Sequence, residues 1–223
     1  MRAPALHFLP AFASVGLLLG SAPALAGDTK PMDFHHAVAV RYGTVKLGDV
    51  YLQDVFGKQN DVIKVEYSLG FRLFEFNLAA GFGQAMGWLQ TADGASSDEH
   101  DMLSMYPLEA SGTLRLDFFH EQWIVPTGRI GGNYWIWREN WYVPDGSDAE
   151  HARSGGKLGW HWGAGGMLRL DAFDQKAASE LQASTGIDDT FVVAEYRRSY
   201  MPKDAQELHF SGWEITGGLR FDF

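Results

Sequence analysis

Between Gly212 and Phe223 the chain reads GWEITGGLRFDF, with Trp213, Ile215, Leu219, Phe221 and Phe223 on one parity and Glu214, Thr216, Arg220 and Asp222 on the other. Successive side chains of a strand point to opposite faces, so this is a strand with one aromatic, apolar face and one charged face. The pattern recurs. In 61–73, Ile63, Val65, Tyr67, Leu69, Phe71 and Leu73 alternate with Lys64, Glu66, Ser68, Gly70 and Arg72. Eight such segments lie near 34–44, 61–73, 75–88, 104–118, 125–138, 156–171, 190–200 and 208–223, separated by polar turn clusters. The fifth is less regular. Its Gly131-Gly132 pair allows a bulge that flips parity, which leaves the directions of Trp135 and Trp137 open.

Eight alternating strands suit a soluble barrel, apolar inside, or a membrane barrel, apolar outside. The polar faces discriminate. They carry Arg41, Lys64, Arg72, Arg115, Arg129, Lys157, Arg169, Arg197 and Arg220 against Glu66, Glu75, Glu109, Asp117, Asp171, Glu195, Glu214 and Asp222. The two signs nearly cancel, and most of the cations are Arg, which suits bidentate carboxylate pairing in a confined space. A solvated face needs neither property. A closed lumen needs both, because an unpaired buried charge is costly. The expected fold is all-β: an eight-stranded antiparallel transmembrane β-barrel over 27–223. A sandwich with solvated outer faces is the alternative.

With an even strand number both chain ends lie on one side of the membrane. The connections 45–60, 89–103, 139–155 and 201–207 then form a long set, opposite tighter ones at Phe74 and 119–124. Long outer loops and short periplasmic turns are the usual asymmetry. The segment 172–189, AFDQKAASELQASTGIDD, places Ala177, Ala178 and Leu181 at helical spacing with Gly186 as a stop. It predicts a short periplasmic helix between strands six and seven.

Residues 1–26 join Arg2, an apolar stretch from Phe8 to Leu19 and the small-residue site Ala24-Leu25-Ala26. This reads as a secretory signal peptide, with the mature chain starting near Gly27. Cysteine is absent, which excludes a disulfide framework, a thiolate metal site and a Cys nucleophile. A net charge of −10 argues against nucleic acid as a partner.

A signal peptide, eight amphipathic strands and a terminal Phe223 together resemble the small eight-stranded bacterial outer-membrane barrels of the OmpA/OmpX type. The resemblance covers the mature chain and is one of architecture, with no motif that selects a subfamily. It implies a monomer in the bacterial outer membrane, among its lipids and lipopolysaccharide. It implies assembly by barrel-assembly machinery that reads Phe223, and a lumen that is a charged plug instead of a wide pore.

Chemistry-bearing motifs are few. His209 and Ser211 share a face of strand eight, and the pair resembles the dyad of lipid A deacylases, which would hydrolyse an acyl ester of lipopolysaccharide. The residues that follow, Gly212-Trp213, depart from that pattern, and Glu214 has the wrong parity to orient the His. An interfacial His and Ser is the better reading. Asp98-Glu99-His100-Asp101, and Asp145, Asp148, Glu150 and His151, lack calcium-loop spacing and read as solvated acidic loops. His35 and His36 point to opposite faces, so they do not chelate. Trp88, Trp123, Trp135, Trp137, Trp141, Tyr142, Tyr200 and Trp213 read as interfacial belts in preference to a sugar platform. No residue is assigned as catalytic, cofactor-binding or metal-binding. The expected function is a non-enzymatic barrel with a structural or surface-interaction role through acidic extracellular loops. The alternatives are a narrow solute or ion conduit and a lipid A hydrolase using His209 and Ser211.

Overall fold

The computed structural model describes residues 34–90, 96–118, 122–142, 152–202, 208 and 210–223, the side chains of 50–51, 88–90, 96–99 and 141–142 excepted. In chain order the elements are β1 (Phe34–Leu47), α1 (Val50–Phe56), β2 (Asn60–Phe71), β3 (Phe74–Gln90), β4 (Ser96–Arg115), β5 (Ile124–Tyr142), β6 (Ala152–Arg169), α2 (Gln175–Thr185), β7 (Asp189–Tyr200) and β8 (Gly212–Asp222). Each strand pairs antiparallel with the next, and β8 returns to β1, with Ala37 opposite Asp222 and Leu47 opposite Gly212. The barrel is closed, as the alternation predicts.

Its polarity is inverted. In β8, Glu214, Thr216, Arg220 and Asp222 are buried, while Ile215 and Leu219 are 51% and 45% exposed. The same holds around the wall, where Val65, Tyr67, Phe76, Leu108, Ile130, Leu158 and Val192 face outward. Apolar side chains displayed this way suit hydrocarbon, and closure satisfies the backbone there.

Two expectations are corrected. No bulge occurs at Gly131-Gly132, because β5 keeps one register with β4 and with β6. Glycine is needed at 131 for space: a Cβ there would lie 2.4 Å from the Ala110 carbonyl oxygen and 2.5 Å from Ser111 Cβ. Parity therefore persists, and Trp135 and Trp137 are buried in the lumen instead of joining the interfacial belt. Strand extends into both long connections, 89–103 and 139–155, since β3 and β4 run to Gln90 and from Ser96, and β5 and β6 to Tyr142 and from Ala152. Asp98 to Asp101 thus belong to β4, and Asp101 is buried in the interior. The β3–β4 ladder is interrupted twice: its register shifts between Trp88, opposite His100, and Gln90, opposite Ser96, and lower down it has a gap with the register kept. Pairing passes from Ala80 opposite Leu108 to Gly83 opposite Met105, skipping Pro107, which has no N–H to donate.

The connections carry two helices. Asp49 starts α1 by accepting the Leu52 N–H, and Gly57 follows its end at φ 85°. Asp174 caps α2 by accepting the Ala177 N–H at 3.0 Å, and Gly186 ends it in the left-handed region at φ 74°. That is the helix, and the stop, that the sequence predicts.

Candidate functional site

Eight strands leave an interior just wide enough for side chains to fill. Parity sends alternate residues of each strand into it, and the filling is layered. Toward the loops, α1 packs into the mouth. Leu52 and Phe56 join Val45, Leu47, Val62, Leu103, Met105, Trp135, Trp137, Leu208 and Phe210 in a buried apolar cap. The Phe210 ring lies 5.7 Å from Trp135 and 6.2 Å from Trp137.

Beneath the cap lie two ionic webs. The first joins four cations, Arg41, Lys64, Arg129 and Arg197, to four carboxylates, Glu66, Glu109, Glu195 and Glu214. Lys64 donates to Glu109 at 2.7 Å and to Glu214 at 2.6 Å. Arg41 bridges Glu66 at 2.9 Å and Glu195 at 3.0 Å. Arg129 holds Glu66 through both amino groups, and Arg197 reaches Glu195 and Glu109. The second web is Glu75 and Asp222 against Arg115 and Arg220. Arg220 donates to Glu75 at 2.6 and 2.9 Å and to Asp222 at 2.6 Å, while Arg115 meets the same two acids at 2.9 and 2.8 Å. Each web is neutral by itself, which offsets the desolvation of its members. Between them, bounded by Arg41, Glu75, Arg129, Glu195 and Arg220, is a space of about 10 Å³, room for about one water.

At the end where the described chain starts and finishes, the lumen widens into a cavity of about 410 Å³ lined by His35, Arg115, Asp117, Arg169, Asp189 and Asp222. Pairing is looser there: Arg169 stands 3.4 Å from Asp189 and 3.7 Å from Asp117.

Most residues expected on the inner face are found in it. Arg41, Lys64, Arg115, Arg129, Lys157, Arg197 and Arg220 are buried, with Glu66, Glu75, Glu109, Glu195, Glu214 and Asp222. Arg72 is a correction. It is exposed in the two-residue turn between β2 and β3, at φ 55°, with its guanidinium 5.3 Å from the Phe71 ring centre. Strand parity ends where the strand does. Asp171 also leaves the wall, accepting the Thr190 N–H at 2.9 Å. His35 and His36 point apart as expected, His35 to Glu75 inside and His36 to the Tyr67 hydroxyl outside.

The Ser211 hydroxyl is engaged with backbone. It accepts the Met201 N–H at 2.8 Å and donates to the Met201 carbonyl at 3.2 Å, tying the base of the β7–β8 connection. His209, the signal segment 1–26, and Asp145, Asp148, Glu150 and His151 lie outside the described residues. Among the described residues no group of three His, Asp or Glu is arranged to hold a metal. Sequence reasoning missed the apolar cap. Its signal was there: Leu52, Val55 and Phe56 stand at helical spacing between Asp49 and Gly57.

A closed barrel of eight antiparallel strands, apolar outside and ionically plugged inside, is the architecture of small bacterial outer-membrane barrels, and this chain has that fold. Among solved structures it is similar to the outer membrane protein OprG from Pseudomonas aeruginosa, at TM-score 0.54 and 9% identity over 85% of this chain and 95% of that one. It is also matched to Neisserial surface protein A, at TM-score 0.49 and 12% identity over 85% and 97% of the two chains. Ail, the attachment invasion locus protein of Yersinia pestis in complex with the heparin analogue sucrose octasulfate, matches at TM-score 0.45 and 12% identity over 85% and 97%. No protein-family model matches the sequence, and no curated protein matches it.

Proposed function

We propose that this chain is a non-enzymatic barrel of the bacterial outer membrane, exported by the segment 1–26, with a structural or surface-contact role. Its wall and loops do the work, and its lumen does not transport. One observation carries this reading: the interior is filled twice over, by an apolar cap and by two neutral ionic webs, with about 10 Å³ free between the webs. A hydrated ion or solute needs a continuous wet path, and here charges of opposite sign bind one another across the lumen. The hydrolase alternative is weakened by Ser211, whose hydroxyl is engaged with the Met201 backbone as both acceptor and donor.

The test is electrical. The purified mature chain, refolded and inserted in planar bilayers, should add no conductance steps above the bare membrane. Reproducible unitary steps would overturn the sealed-lumen reading and put the conduit first.

A further inference from the structure

We infer that the outward face where β6, β7, β8 and β1 meet binds the headgroup of a phosphate-bearing glycolipid of the outer leaflet, with Lys46 and Arg198 flanking Trp213 as its phosphate contacts. The inference rests on the outer-membrane reading above and adds a site to it.

The outer wall is built to be apolar, so a full charge on it stands out. Among the described side chains of the strands, the outward positions carry Lys46, Arg138, Arg198 and Asp61 and otherwise no Lys, Arg, Asp or Glu. Register gathers two of these cations. Arg198 is opposite Trp162 on one side and Trp213 on the other, and Trp213 is opposite Lys46. Four outward side chains on four adjacent strands therefore form one row: Trp162, Arg198, Trp213, Lys46. Neighbouring strands are ~4.7–4.9 Å apart, so the two cations are rooted roughly 9–10 Å apart with an indole between them. One row nearer the loops, Tyr200 stacks on Trp160 at 4.5 Å and 17°. The Arg198 guanidinium stands 5.8 Å from the Tyr200 ring centre, which shows it leaning toward the loop end of the wall.

Neither cation meets a carboxylate among the described residues. The outward acid, Asp61, is on β2 opposite Thr44 and is hydrogen-bonded to Tyr42. An uncompensated cation on a barrel wall is costly at the bilayer midplane and nearly free at headgroup level. The Trp and Tyr rings around these two mark that level. The whole chain carries −10, so this is a local positive site on an acidic protein. Its complement is phosphate: Arg offers a planar fork to two oxygens, and Lys a point charge. The flanking rings offer flat apolar surface to the sugar and the first carbons of the acyl chains. The row lies at the loop end of the strands, opposite the end where the described chain begins and finishes. It therefore faces the outer leaflet, and the occupant is a bisphosphorylated glycolipid of the lipid A type.

The test uses the mature chain refolded in phosphatidylcholine nanodiscs doped with one of three lipids: bisphosphorylated lipid A, lipid A stripped of both phosphates, or phosphatidylglycerol. Retained lipid is counted by native mass spectrometry. The native chain should hold bisphosphorylated lipid A at least tenfold better than either other lipid. Lys46→Gln combined with Arg198→Gln should lower that retention about tenfold or more, and Arg138→Gln should leave it unchanged. Equal retention of the phosphorylated and stripped forms, equal retention of phosphatidylglycerol, or full retention by the double variant would overturn the site. Should the double variant not fold, Arg198→Gln alone replaces it, and the phosphate-removal arm on the native chain still decides. Recovery of the chain outside the outer membrane in cells would sink the location and not this site. A folded outer-membrane barrel without phosphate preference would sink this site alone.

Discussion

Arg220 shows what a single lumen charge does. It is 1% exposed and holds Glu75 with two nitrogens and Asp222 with a third. Arg220→Leu leaves two carboxylates sharing Arg115, so a neutral web becomes a buried net charge. We expect a loss of roughly 3–5 kcal/mol, the order found when one partner of a buried pair is removed. Adding Glu75→Leu restores neutrality, because Arg115 and Asp222 remain paired at 2.8 Å. Part of the loss should then return, as non-additivity between contacting sites. Urea unfolding of the vesicle-bound barrel, followed by tryptophan fluorescence, measures Arg220→Leu, Glu75→Leu and the double variant; a double variant as unstable as the sum of the singles would refute the web. Ser211 makes the contrasting case. Its hydroxyl serves the Met201 backbone, so Ser211→Ala should cost about 1 kcal/mol for the lost hydrogen bonds. The lipid A acylation pattern, read by mass spectrometry, should not change. Loss of an acyl chain only where Ser211 is intact would move the enzyme reading to first place.

At the level of elements, α1 does what no strand can: it fills the wide mouth of the barrel with Leu52 and Phe56. Leu52 is fully buried, and Leu52→Ala should cost about 2–5 kcal/mol as a cavity opens in the cap. The ionic webs beneath are untouched by that change. Bilayer conductance of Leu52→Ala should therefore stay at background; unitary steps would mean that the cap alone seals the lumen. The strands themselves were legible because the environment differs sharply on their two sides, lipid against paired charge, and period-2 alternation records that difference residue by residue. Hence Glu214, Arg220 and Asp222 were placed inward correctly from parity. The helix α2 was legible from Ala177, Ala178, Leu181 and the stop at Gly186. Where the contrast between sides fades, so does the signal. Beyond the lipid belt β4 reads SSDEHD, polar on both parities, so alternation does not mark it as strand there. Trp135 and Trp137 are apolar yet inward, since the upper lumen is apolar too, and alternation against an apolar wall carries no direction. The apolar cap draws on six or more separate elements, and no local pattern states which of them converge.

The molecule as a whole has one structural property that no part of it shares: its sheet closes on itself. Every strand pairs with its sequence neighbours, and β8 closes against β1 along Ala37 to Leu47. Where the neighbouring strands overlap, each strand has a pairing partner on both sides, which is the condition for lying in hydrocarbon, while β3 beyond Gln84 and β6 before Trp160 keep a strand partner on one side only toward the loops. The interior adds cohesion of a kind detergent does not dissolve, because the webs are shielded by the wall on one side and the cap on the other. Opening the barrel requires breaking a whole seam at once, with the webs that span it: Arg41 of β1 reaches Glu195 of β7, and Lys64 of β2 reaches Glu214 of β8. Unfolding in sodium dodecyl sulfate without heat should therefore be slow, and the unheated chain should migrate faster than the boiled one. The same argument fixes what must abolish the effect. A chain truncated after Ser211 keeps seven strands but loses the seam, the Glu214 and Arg220 members of both webs, and the satisfaction of β1 and β7 along one side each. It should show no fast-migrating form under any refolding condition. A compact, heat-sensitive band from that truncated chain would show that closure is not what resists the detergent.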